Sequence, residues 1–288
     1  MRTLLVFTLF LASLMASGID ISSSSVSNGR TVAIEFKKKN NLEYENIEFE
    51  KKLFQIFKHP VQDDKLYALI PVSYYEKPGT KSFKINYKQN GKETFQKMFL
   101  KIEDGKYEKE EIIVSASRVN PKSKEVQERI SKEYKEAMKI YGTVTPKSYV
   151  DSEFIMPLDS FITSDFGKAR VYNGSLKGYH SGTDFRAQVG TKLIASNDGV
   201  IALVKKRFYS GGTVLIDHGQ GIYTCYFHMS DFAVKEGEKV KKGQVICLSG
   251  QSGRVTGPHL HFAVRINGVQ VDPLQFIELM NKNIIKEI

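Results

Sequence analysis

Cysteine is scarce and tryptophan is absent, because the 288 residues include two Cys and no Trp. Two cysteines cannot form a disulfide framework or a cysteine-rich zinc ribbon, so a metal site would have to use histidine and carboxylate ligands. Beyond the N-terminus, no stretch approaches the roughly 18 uninterrupted apolar residues of a transmembrane helix. With 41% hydrophobic residues, the composition excludes disorder, collagen-like repetition and coiled coil. The length suggests about two domains.

Residues 1–18 have the pattern of a secretory signal peptide. Arg2 precedes an apolar stretch from Leu4 to Met15, and small residues follow it. The stretch is too short to span a bilayer of about 30 Å comfortably, so we expect cleavage near residue 18, export, and no membrane span afterwards. An uncleaved signal that anchors the chain is the alternative. In an oxidising compartment Cys225 and Cys247 could pair, or they could remain two buried thiols.

Acidic residues are outnumbered, with 32 Asp+Glu against 42 Lys+Arg and a formal net charge of +10. The excess is uneven: residues 1–150 carry 26 basic and 19 acidic side chains, net +7, and residues 151–288 carry 16 and 13, net +3. A basic exported protein could meet nucleic acid, anionic lipid or an acidic cell-wall polymer. Export makes nucleic acid the least favoured of these, so no nucleic-acid partner is expected.

Residues 19–117 are predicted to form an N-terminal β module. Apolar and polar positions alternate there in short runs separated by turn signals, which indicates an all-β unit such as a sandwich. The run Phe83 to Tyr87 leads into Asn90-Gly91, a strong hairpin signal, and the chain returns over Phe95 to Ile102. The only histidine here, His59, is interpreted as structural. We therefore assign this module a positioning or binding role without a named ligand.

Residues 118–150 are predicted to form a helical linker. Apolar residues recur every three or four positions over about 20 residues, and Gly142 followed by Pro146 ends the run. Asn120 is placed to cap the helix, and Pro121 fits its first turn. The predicted apolar face consists of Val126, Ile130, Tyr134, Ala137 and Tyr141, and the face expected to be solvated carries Lys124, Glu128, Lys132 and Lys135.

Residues 151–277 are predicted to form a second β domain, followed by a C-terminal tail over 278–288. Glycine is dense in this domain, a hairpin is expected at Asn267-Gly268, and a helical pattern returns only at Leu274 to Met280. The fold class is therefore mainly β. The predicted strands are Gly199 to Phe208, Thr213 to Asp217, Ile222 to Met229, Gln244 to Leu248 and His259 to Ile266.

Five of the six histidines lie in this second domain. Alternate side chains of a strand share a face, so His259 and His261 are expected to point the same way. By the same rule His228 should share a face with Tyr226, which could line a groove or be buried. His218 stands at a strand end before a turn and is interpreted as structural.

His180 and Asp184 are four residues apart, a spacing that would place them on one face of a helix, as in HExxH metalloproteases. Gly182 and the β-branched Thr183 lie between them, so a loop that enters a strand is the better interpretation. Such a loop can fold both side chains around a small ion. The HExxH glutamate is missing, and another residue would have to act as the base.

One aspartate and at least two histidines from separate segments suit a divalent ion, and zinc is the natural choice for nitrogen and oxygen ligands. A catalytic zinc keeps three protein ligands and leaves one position for water, whereas a structural site is closed by four. Four histidines and one aspartate exceed three ligands. The surplus predicts that two histidines handle protons or stabilise the transition state.

These motifs resemble the LytM/lysostaphin-type zinc metallopeptidases, whose pattern is a His-x-x-x-Asp pair followed much later by a His-x-His pair. The similarity covers about residues 155–277. It includes Ile162-Thr-Ser-Asp-Phe-Gly167, Asp217-His218-Gly219 and Val271-Asp272-Pro273. The whole chain is also similar in style to the periplasmic peptidoglycan DD-endopeptidases that set cell shape in helical Gram-negative bacteria.

The resemblance implies that His180, Asp184 and His261 hold Zn²⁺, with His228 and His259 beside the ion as catalytic histidines. It implies a glycine-rich antiparallel β groove, a periplasmic location, or inner-membrane tethering if the signal stays uncleaved, and peptide cross-links of peptidoglycan as substrate. The order of the two catalytic histidines stays open. Arg170, Arg186 and Arg254 are candidates to bind carboxylates of the stem peptides, because they lie near the motifs in sequence.

Two other functions remain open at this point. A non-enzymatic module that binds peptidoglycan or activates an amidase would typically lack some of the five site residues, and all five are present here. An extracellular protease that acts on ordinary proteins is the third possibility. Zinc content and chelator-sensitive release of cleaved muropeptides would distinguish them.

Overall fold

The computed structural model describes residues 18–119, 121–174 and 176–285, and these fold mainly as β structure, as predicted. The predicted signal peptide therefore lies outside the described residues, apart from Gly18. Within these ranges, ten strands precede the first helix. They are β1 Ile19–Ile21, β2 Ser25–Ser27, β3 Thr31–Lys37, β4 Leu42–Phe49, β5 Lys52–Gln55, β6 Phe57–Lys58, β7 Lys65–Pro71, β8 Gly79–Gln89, β9 Lys92–Glu103 and β10 Lys109–Ile112.

Two sheets form the N-terminal module, with strand orders β1-β3-β7-β6 and β2-β9-β8-β4-β5. Ile34 and Ile70 of the first sheet share one buried cluster with Ile85 of the second, so apolar residues from both sheets form a common core. Strands β8 and β9 pair across Asn90 and Gly91, whose φ angles of 51° and 77° match a two-residue hairpin turn. The predicted sandwich and hairpin are confirmed.

Two helices follow, α1 Ala116–Val119 and α2 Lys124–Tyr141. Ser123 caps α2, because its hydroxyl accepts a hydrogen bond from the backbone N–H of Val126. Helix α2 thus begins later than predicted: Pro121 precedes it, and Asn120, the predicted cap, lies outside the described residues. Helix α1 has four residues and was not predicted.

The buried face of α2 differs from the predicted one at a single turn. Tyr134 is 64% exposed, whereas its neighbour Glu133 is buried. The Glu133 carboxylate accepts hydrogen bonds from the backbone N–H of Phe208 at 2.8 Å and from Arg129 Nε at 2.7 Å. These bonds replace the hydrogen bonds to water that the carboxylate loses on burial. Glu133 can therefore face inward, and Tyr134 faces solvent.

Over its described residues, the second β region contains thirteen strands followed by a helix. Helix α3 spans Pro273–Leu279, capped by Asp272, and a π-helical turn over Met280–Ile284 follows it. The strands are β11 Ile162–Ser164, β12 Ala169–Tyr172, β13 Leu176–Tyr179, β14 Thr183–Arg186, β15 Lys192–Ile194, β16 Gly199–Arg207, β17 Gly211–Asp217, β18 Ile222–Met229, β19 Asp231–Phe232, β20 Lys239–Val240, β21 Val245–Leu248, β22 His259–Ile266 and β23 Val269–Val271.

One antiparallel sheet dominates this region, with the order β11-β14-β22-β18-β17-β16-β20 and β23 attached to β22. A smaller sheet has the order β15-β21-β19. Met280 and Ile284 are buried in the core that the large sheet covers, so residues assigned to the predicted tail pack against the domain. The domain boundaries given above remain a prediction.

The N-terminal module contacts the second β region at several points. Strand β10 pairs in parallel with β12 and completes a three-stranded sheet, β10-β12-β13. The ring of Tyr74 stacks on that of Tyr179 with centroids 3.9 Å apart. Tyr67, together with Leu69 from the same strand, lies in the buried cluster that also contains Phe262 of β22. The two regions therefore share buried surface.

Within the described ranges, no helix combines the length and the apolar character that crossing a membrane requires.

Candidate metal centre

Three neighbouring strands bring four of the five predicted site residues together. Strands β14 and β22 are antiparallel partners, with Asp184 opposite His261 and Arg186 opposite His259. Strand β18 lies on the other side of β22 and carries His228 near its end. Because His259 and His261 are two residues apart on β22, they share the face predicted for them.

His180, the fifth residue, directly follows β13 and lies in the short loop that enters β14, as predicted. Its backbone N–H donates to the carbonyl of Lys168 at 2.8 Å, which fixes the loop. Gly182 permits the close approach of this loop to β22. A Cβ atom at Gly182 would lie 2.4 Å from the carbonyl oxygen of Phe262 and 2.7 Å from His261 Nε2.

His180, Asp184 and His261 direct one ligand atom each toward a common point. His180 Nε2 lies 2.9 Å from Asp184 Oδ1 and 2.9 Å from His261 Nδ1, and the last two atoms are 2.7 Å apart. All three residues are largely buried. The chain therefore assembles two imidazole nitrogens and one carboxylate oxygen, a donor set typical of a zinc site with an open fourth position.

The hydrogen-bond pattern around His180 favours a cation between these atoms. Its Nδ1 lies 2.7 Å from the carbonyl oxygen of Asp165, which can only accept, so Nδ1 carries the hydrogen and Nε2 of the neutral ring presents a lone pair. If His261 Nδ1 carries a hydrogen, that hydrogen can lie between only two of the three ligand atoms. Lone pairs then remain close together, and a positive ion relieves this repulsion. The residues present fit a divalent metal.

Electrostatics keep these ligand atoms in the states that metal binding requires. Burial acts to raise the pKa of Asp184, but its close contacts with the His180 and His261 rings outweigh burial and hold the pKa of the carboxyl well below its usual range. Burial lowers the pKa of His261 to about 4. Near neutral pH the carboxylate is ionised and the His261 ring is neutral.

His228 and His259 lie beside these three residues. The ring centroids of His228 and His259 are 4.9 Å apart, and the centroids of His228 and His261 are 5.9 Å apart. His259 Nε2 lies 3.7 Å from Asp184 Oδ1. The structure thus brings all five predicted residues into one cluster, three as a group around one point and two next to it.

The prediction that His228 shares a face with Tyr226 is wrong. His228 has φ +70° and is the extra residue of a bulge in which Phe227 pairs with Thr213 and Met229 pairs with Gly212. The bulge interrupts the alternation of side chains, so His228 joins the face of His261. Tyr226, whose role was left open, is fully buried and packs against Phe262.

Three of the four site imidazoles are oriented in the same way. The Nδ1 atom of each lies within hydrogen-bonding distance of a backbone carbonyl: that of His180 near Asp165, that of His228 near Ser252 at 2.8 Å, and that of His259 near Gly257 at 2.9 Å. A carbonyl at Nδ1 selects the tautomer whose Nε2 carries the lone pair. Nε2 of His228 and His259 is therefore available to accept a proton.

Burial keeps His228 neutral. It is the largest influence on this ring, nearby His261 and His259 act in the same direction, and together they lower the pKa of His228 to about 3. A neutral imidazole with a free Nε2 can act as a base, and once protonated it is a strong acid.

A cavity of about 210 Å³ opens over this cluster. Its floor contains His180, His228 and His261. Aromatic side chains and arginines form the walls, so a peptide entering the cavity would meet rings and positive charge next to the imidazoles. The remaining lining residues include Arg170, Tyr172, Tyr179, Tyr209, Phe227, Arg254, Arg265 and Gln270.

The three arginines proposed from sequence have different environments. Arg170 is held by Glu110 and Asp184. Arg186 is exposed and does not line the cavity. Arg254 lines it, with its guanidinium 4.3 Å from the ring centroid of Tyr172 and 4.7 Å from that of Tyr209. No carboxylate of the described residues forms an ion pair with Arg254, so its charge is available to a ligand.

Sequence reasoning missed one cavity arginine that it could have found. Arg265 lies on β22 four residues after His261, and even spacing on a strand puts both side chains on one face. Arg265 donates to the carbonyl of Gly268 at 2.7 Å and lies over the ring of Tyr141. Strand alternation places Arg265 on the face of His261, and the structure shows that it lines the same cavity.

The other notable polar residues are structural. His218 is fully buried, with its two ring nitrogens 2.7 Å from the carbonyl of Asp198 and 2.7 Å from the hydroxyl of Thr224. His59 is buried in the N-terminal module, where its Nδ1 accepts backbone N–H groups. Cys225 and Cys247 are free and buried, so they do not pair. The structural interpretation of both histidines agrees with the fold.

Comparison with known proteins gives a family match in the second β region and relatives of similar sequence. The model of peptidase family M23 matches residues 178–273. Peptidoglycan DD-endopeptidase ShyA of Vibrio cholerae is 41% identical over 122 residues, which cover 41% of this chain and 28% of ShyA. DD-carboxypeptidase/endopeptidase Mpg of Neisseria meningitidis is 45% identical over 95 residues, which cover 33% of this chain and 22% of Mpg. The chain thus spans less than a third of these relatives.

A crystal structure from Pseudomonas aeruginosa, assigned to peptidase M23, has the same overall fold. It matches with a TM-score of 0.68 at 24% identity and covers 88% of this chain and 95% of that chain. The shared fold therefore extends beyond the matched family region into the preceding modules. The family predicted from the spaced histidines and aspartate is confirmed, and the chain contains a domain of peptidase family M23, of the LytM type, at residues 178–273.

Proposed function

We propose that this protein is a zinc-dependent peptidoglycan hydrolase that cleaves stem-peptide cross-links as a DD-endopeptidase, with DD-carboxypeptidase activity as a second reaction of the same site. The observation that carries this proposal is the convergence of His180, Asp184 and His261 next to a cavity that both of these histidines line, with two further histidines beside them. ShyA and Mpg, whose names state these activities, support it. Such a reaction would remodel the cell wall and with it the cell shape.

In this proposal His180 Nε2, Asp184 Oδ1 and His261 Nδ1 hold Zn²⁺. Zinc would supply a Lewis acid for the scissile amide and for the attacking water. The carbonyl of Asp165 fixes the His180 ring so that Nε2 faces Asp184 Oδ1 and His261 Nδ1. The low pKa of the Asp184 carboxyl keeps it ionised over the whole neutral range.

His228 and His259 handle protons in this proposal. Both present Nε2 with a lone pair, because Nδ1 of each faces a backbone carbonyl. One ring accepts the proton of the attacking water at Nε2, and a protonated Nε2 donates to the leaving amine. A ring that is protonated in the transition state also stabilises the negative charge that develops on the carbonyl oxygen.

Arg254 is the candidate for binding a substrate carboxylate. Its guanidinium is held between the rings of Tyr172 and Tyr209, which leaves its N–H edge for a ligand. A charged hydrogen bond between guanidinium and carboxylate is directional and stronger than a neutral one. A stem peptide with free carboxylates is therefore the substrate class that this wall of the cavity favours.

The amidase-activating or purely binding alternative is less favoured. All five site residues are present, backbone carbonyls set the tautomers of three of the four imidazoles, and the cavity above them is open to a ligand. We further propose that the protein acts in the periplasm after export. The N-terminal sequence pattern supports this location, and fractionation of cells with detection of the mature N-terminus tests it.

Purified sacculi provide the direct test of function. We expect the full-length protein to release cleaved muropeptides that mass spectrometry identifies, and we expect a chelator to stop the release and added Zn²⁺ to restore it. H261A, which removes one proposed ligand, is the matched inactive control. Intact sacculi after incubation with zinc-loaded protein, or digestion of casein instead, would contradict the proposal.

A further inference from the structure

Arg170 lies outside the matched family region and contacts a proposed ligand directly. Arg170 Nη2 lies 3.2 Å from Asp184 Oδ2, the carboxylate oxygen that does not face the two imidazoles. The same guanidinium donates through Nε to Glu110 Oε2 at 2.9 Å. Arg170 thus links Asp184 to a residue of β10.

The pairing of two strands explains this link. Strand β10 runs parallel to β12, and Glu110 stands opposite Arg170 in the register. Glu110 precedes the linking helix, and both residues precede the matched region that begins at residue 178. A segment outside the peptidase match therefore provides a residue close to the candidate metal centre.

Ser164 of β11 connects this pair to a second proposed ligand. Its hydroxyl accepts a hydrogen bond from Arg170 Nη2 at 3.2 Å and lies 3.3 Å from His180 Nδ1. Ser164 is buried, as are the ligands, so these polar groups depend on one another for hydrogen bonds. Movement of Arg170 would disturb both His180 and Asp184.

The two oxygens of Asp184 have separate partners. Oδ1 faces His180 and His261, and Oδ2 faces Arg170. An arginine on Oδ2 prevents the carboxylate from rotating and from offering both oxygens to an ion. Glu110 in turn balances the charge of Arg170, whose side chain is only 14% exposed. Buried charges are retained when they are paired in this way.

From this geometry we infer that Arg170 and Glu110 are positioning residues of the metal centre: they hold Asp184 so that a single oxygen faces the ion, and Glu110 makes the N-terminal part of the chain a contributor to the peptidase site. The inference rests on the proposed function, because it takes His180, Asp184 and His261 as the zinc ligands.

The test uses four full-length variants, R170A, R170K, E110A and the double variant E110A/R170A. Zinc affinity is measured by competition with a chromogenic chelator, and the absorption spectrum of the Co²⁺-loaded protein reports ligand geometry. We expect R170A to weaken zinc binding about 10- to 100-fold and to change the cobalt spectrum. E110A should have a smaller effect of the same kind, and R170K should recover part of the loss.

The double variant separates a linked pair from two independent contacts. If Glu110 acts through Arg170, E110A should have no further effect on zinc affinity in the R170A background. K205A is the matched control, because it removes another ion pair, Lys205 to Glu136 at 2.8 Å, between α2 and β16. It should leave zinc affinity and the cobalt spectrum unchanged.

A merely structural role gives a different result. If R170A and E110A lower the melting temperature of the metal-free protein yet bind zinc with parent affinity and give the parent cobalt spectrum, the inference is wrong. Additive losses in the double variant would overturn the part that concerns Glu110. A parent protein that binds no zinc would instead refute the proposed function.

Discussion

The imidazole Nδ1 of His228 lies 2.8 Å from the carbonyl oxygen of Ser252, in a loop 24 residues away. The hydroxyl of the same serine accepts from the N–H of Gly212 and donates to the carbonyl of Met229, the two residues that flank the bulge. Ser252 therefore fixes the backbone of the bulge and the tautomer of the ring together. The position of His228 depends on this loop as much as on its own strand.

Removal of single histidines should separate metal binding from turnover. H261A should lose both zinc and muropeptide release, because it removes a ligand. H259A and H228A should retain most of the zinc and lose activity about 100-fold or more, as for a missing acid–base group. Metal content and turnover are measured on the same preparations. An H259A protein that cleaves muropeptides at the parent rate would contradict its assigned role.

Gly182 provides a test of the close contact between the His180 loop and β22. G182A should weaken zinc binding by about tenfold or more, because the new Cβ would press on the Phe262 carbonyl and on the His261 ring. G178A is the matched control, since no atom lies within 4 Å of a Cβ built there. Chelator competition measures both. Equal zinc affinity of the two variants would show that the loop can shift to accommodate the added Cβ without disturbing the ligands.

Stability should fall in acid partly because of His218, which is not part of the metal centre. Burial lowers the pKa of His218 from 6.5 to about 4, so the folded protein binds fewer protons than the unfolded chain between these values. The contribution of neutral His218 to the free energy of unfolding is fully present above pH 6.5 and is lost as the pH falls toward 4. The loss is about 3 kcal/mol at most.

A variant without this titration, H218Q, isolates the effect. Its free energy of unfolding is expected to be lower at pH 7, but it should decline less steeply than that of the parent between pH 6.5 and 4. Urea unfolding at several pH values gives both curves. Parallel curves would mean that His218 does not titrate in this range.

Arg254 should affect recognition of charged substrates. R254A is expected to lower kcat/KM about 10- to 100-fold for stem peptides with free carboxylates, as for the loss of a charged hydrogen bond, and to change little for amidated peptides. R186A is the control, because Arg186 is exposed and outside the cavity. The same loss on both peptide types would argue against a carboxylate partner.

The parts of the fold that depend on neighbouring residues could be predicted from the sequence. The strands Ile222–Met229 and His259–Ile266 have the predicted bounds, and the hairpin at Asn267-Gly268 joins β22 to β23. Alternation and turn residues act locally, so they are visible in one sequence. The residues of the candidate metal centre could be predicted because their motifs are spaced in a pattern typical of the family.

Features that depend on distant partners could not be predicted. The orientation of His228 was predicted wrongly because the bulge is set by Gly212 and Ser252, which strand alternation does not include. Glu110 stands in a run of charged residues without any pattern, and its partner Arg170 is 60 residues away. At residues 133 and 134, hydrogen bonds to a carboxylate outweighed the apolar periodicity of α2.

Tyr67 and Leu69 of the N-terminal module lie in the buried cluster that also contains Phe262 and Ile266 of β22. The N-terminal module thus has a buried cluster of its own and also contributes side chains to the core of the second β region. Separation of the halves would expose apolar side chains on both, and it would cost each of them part of its hydrophobic stabilisation. We therefore expect unfolding of the N-terminal module to destabilise β22 and the strands beside it.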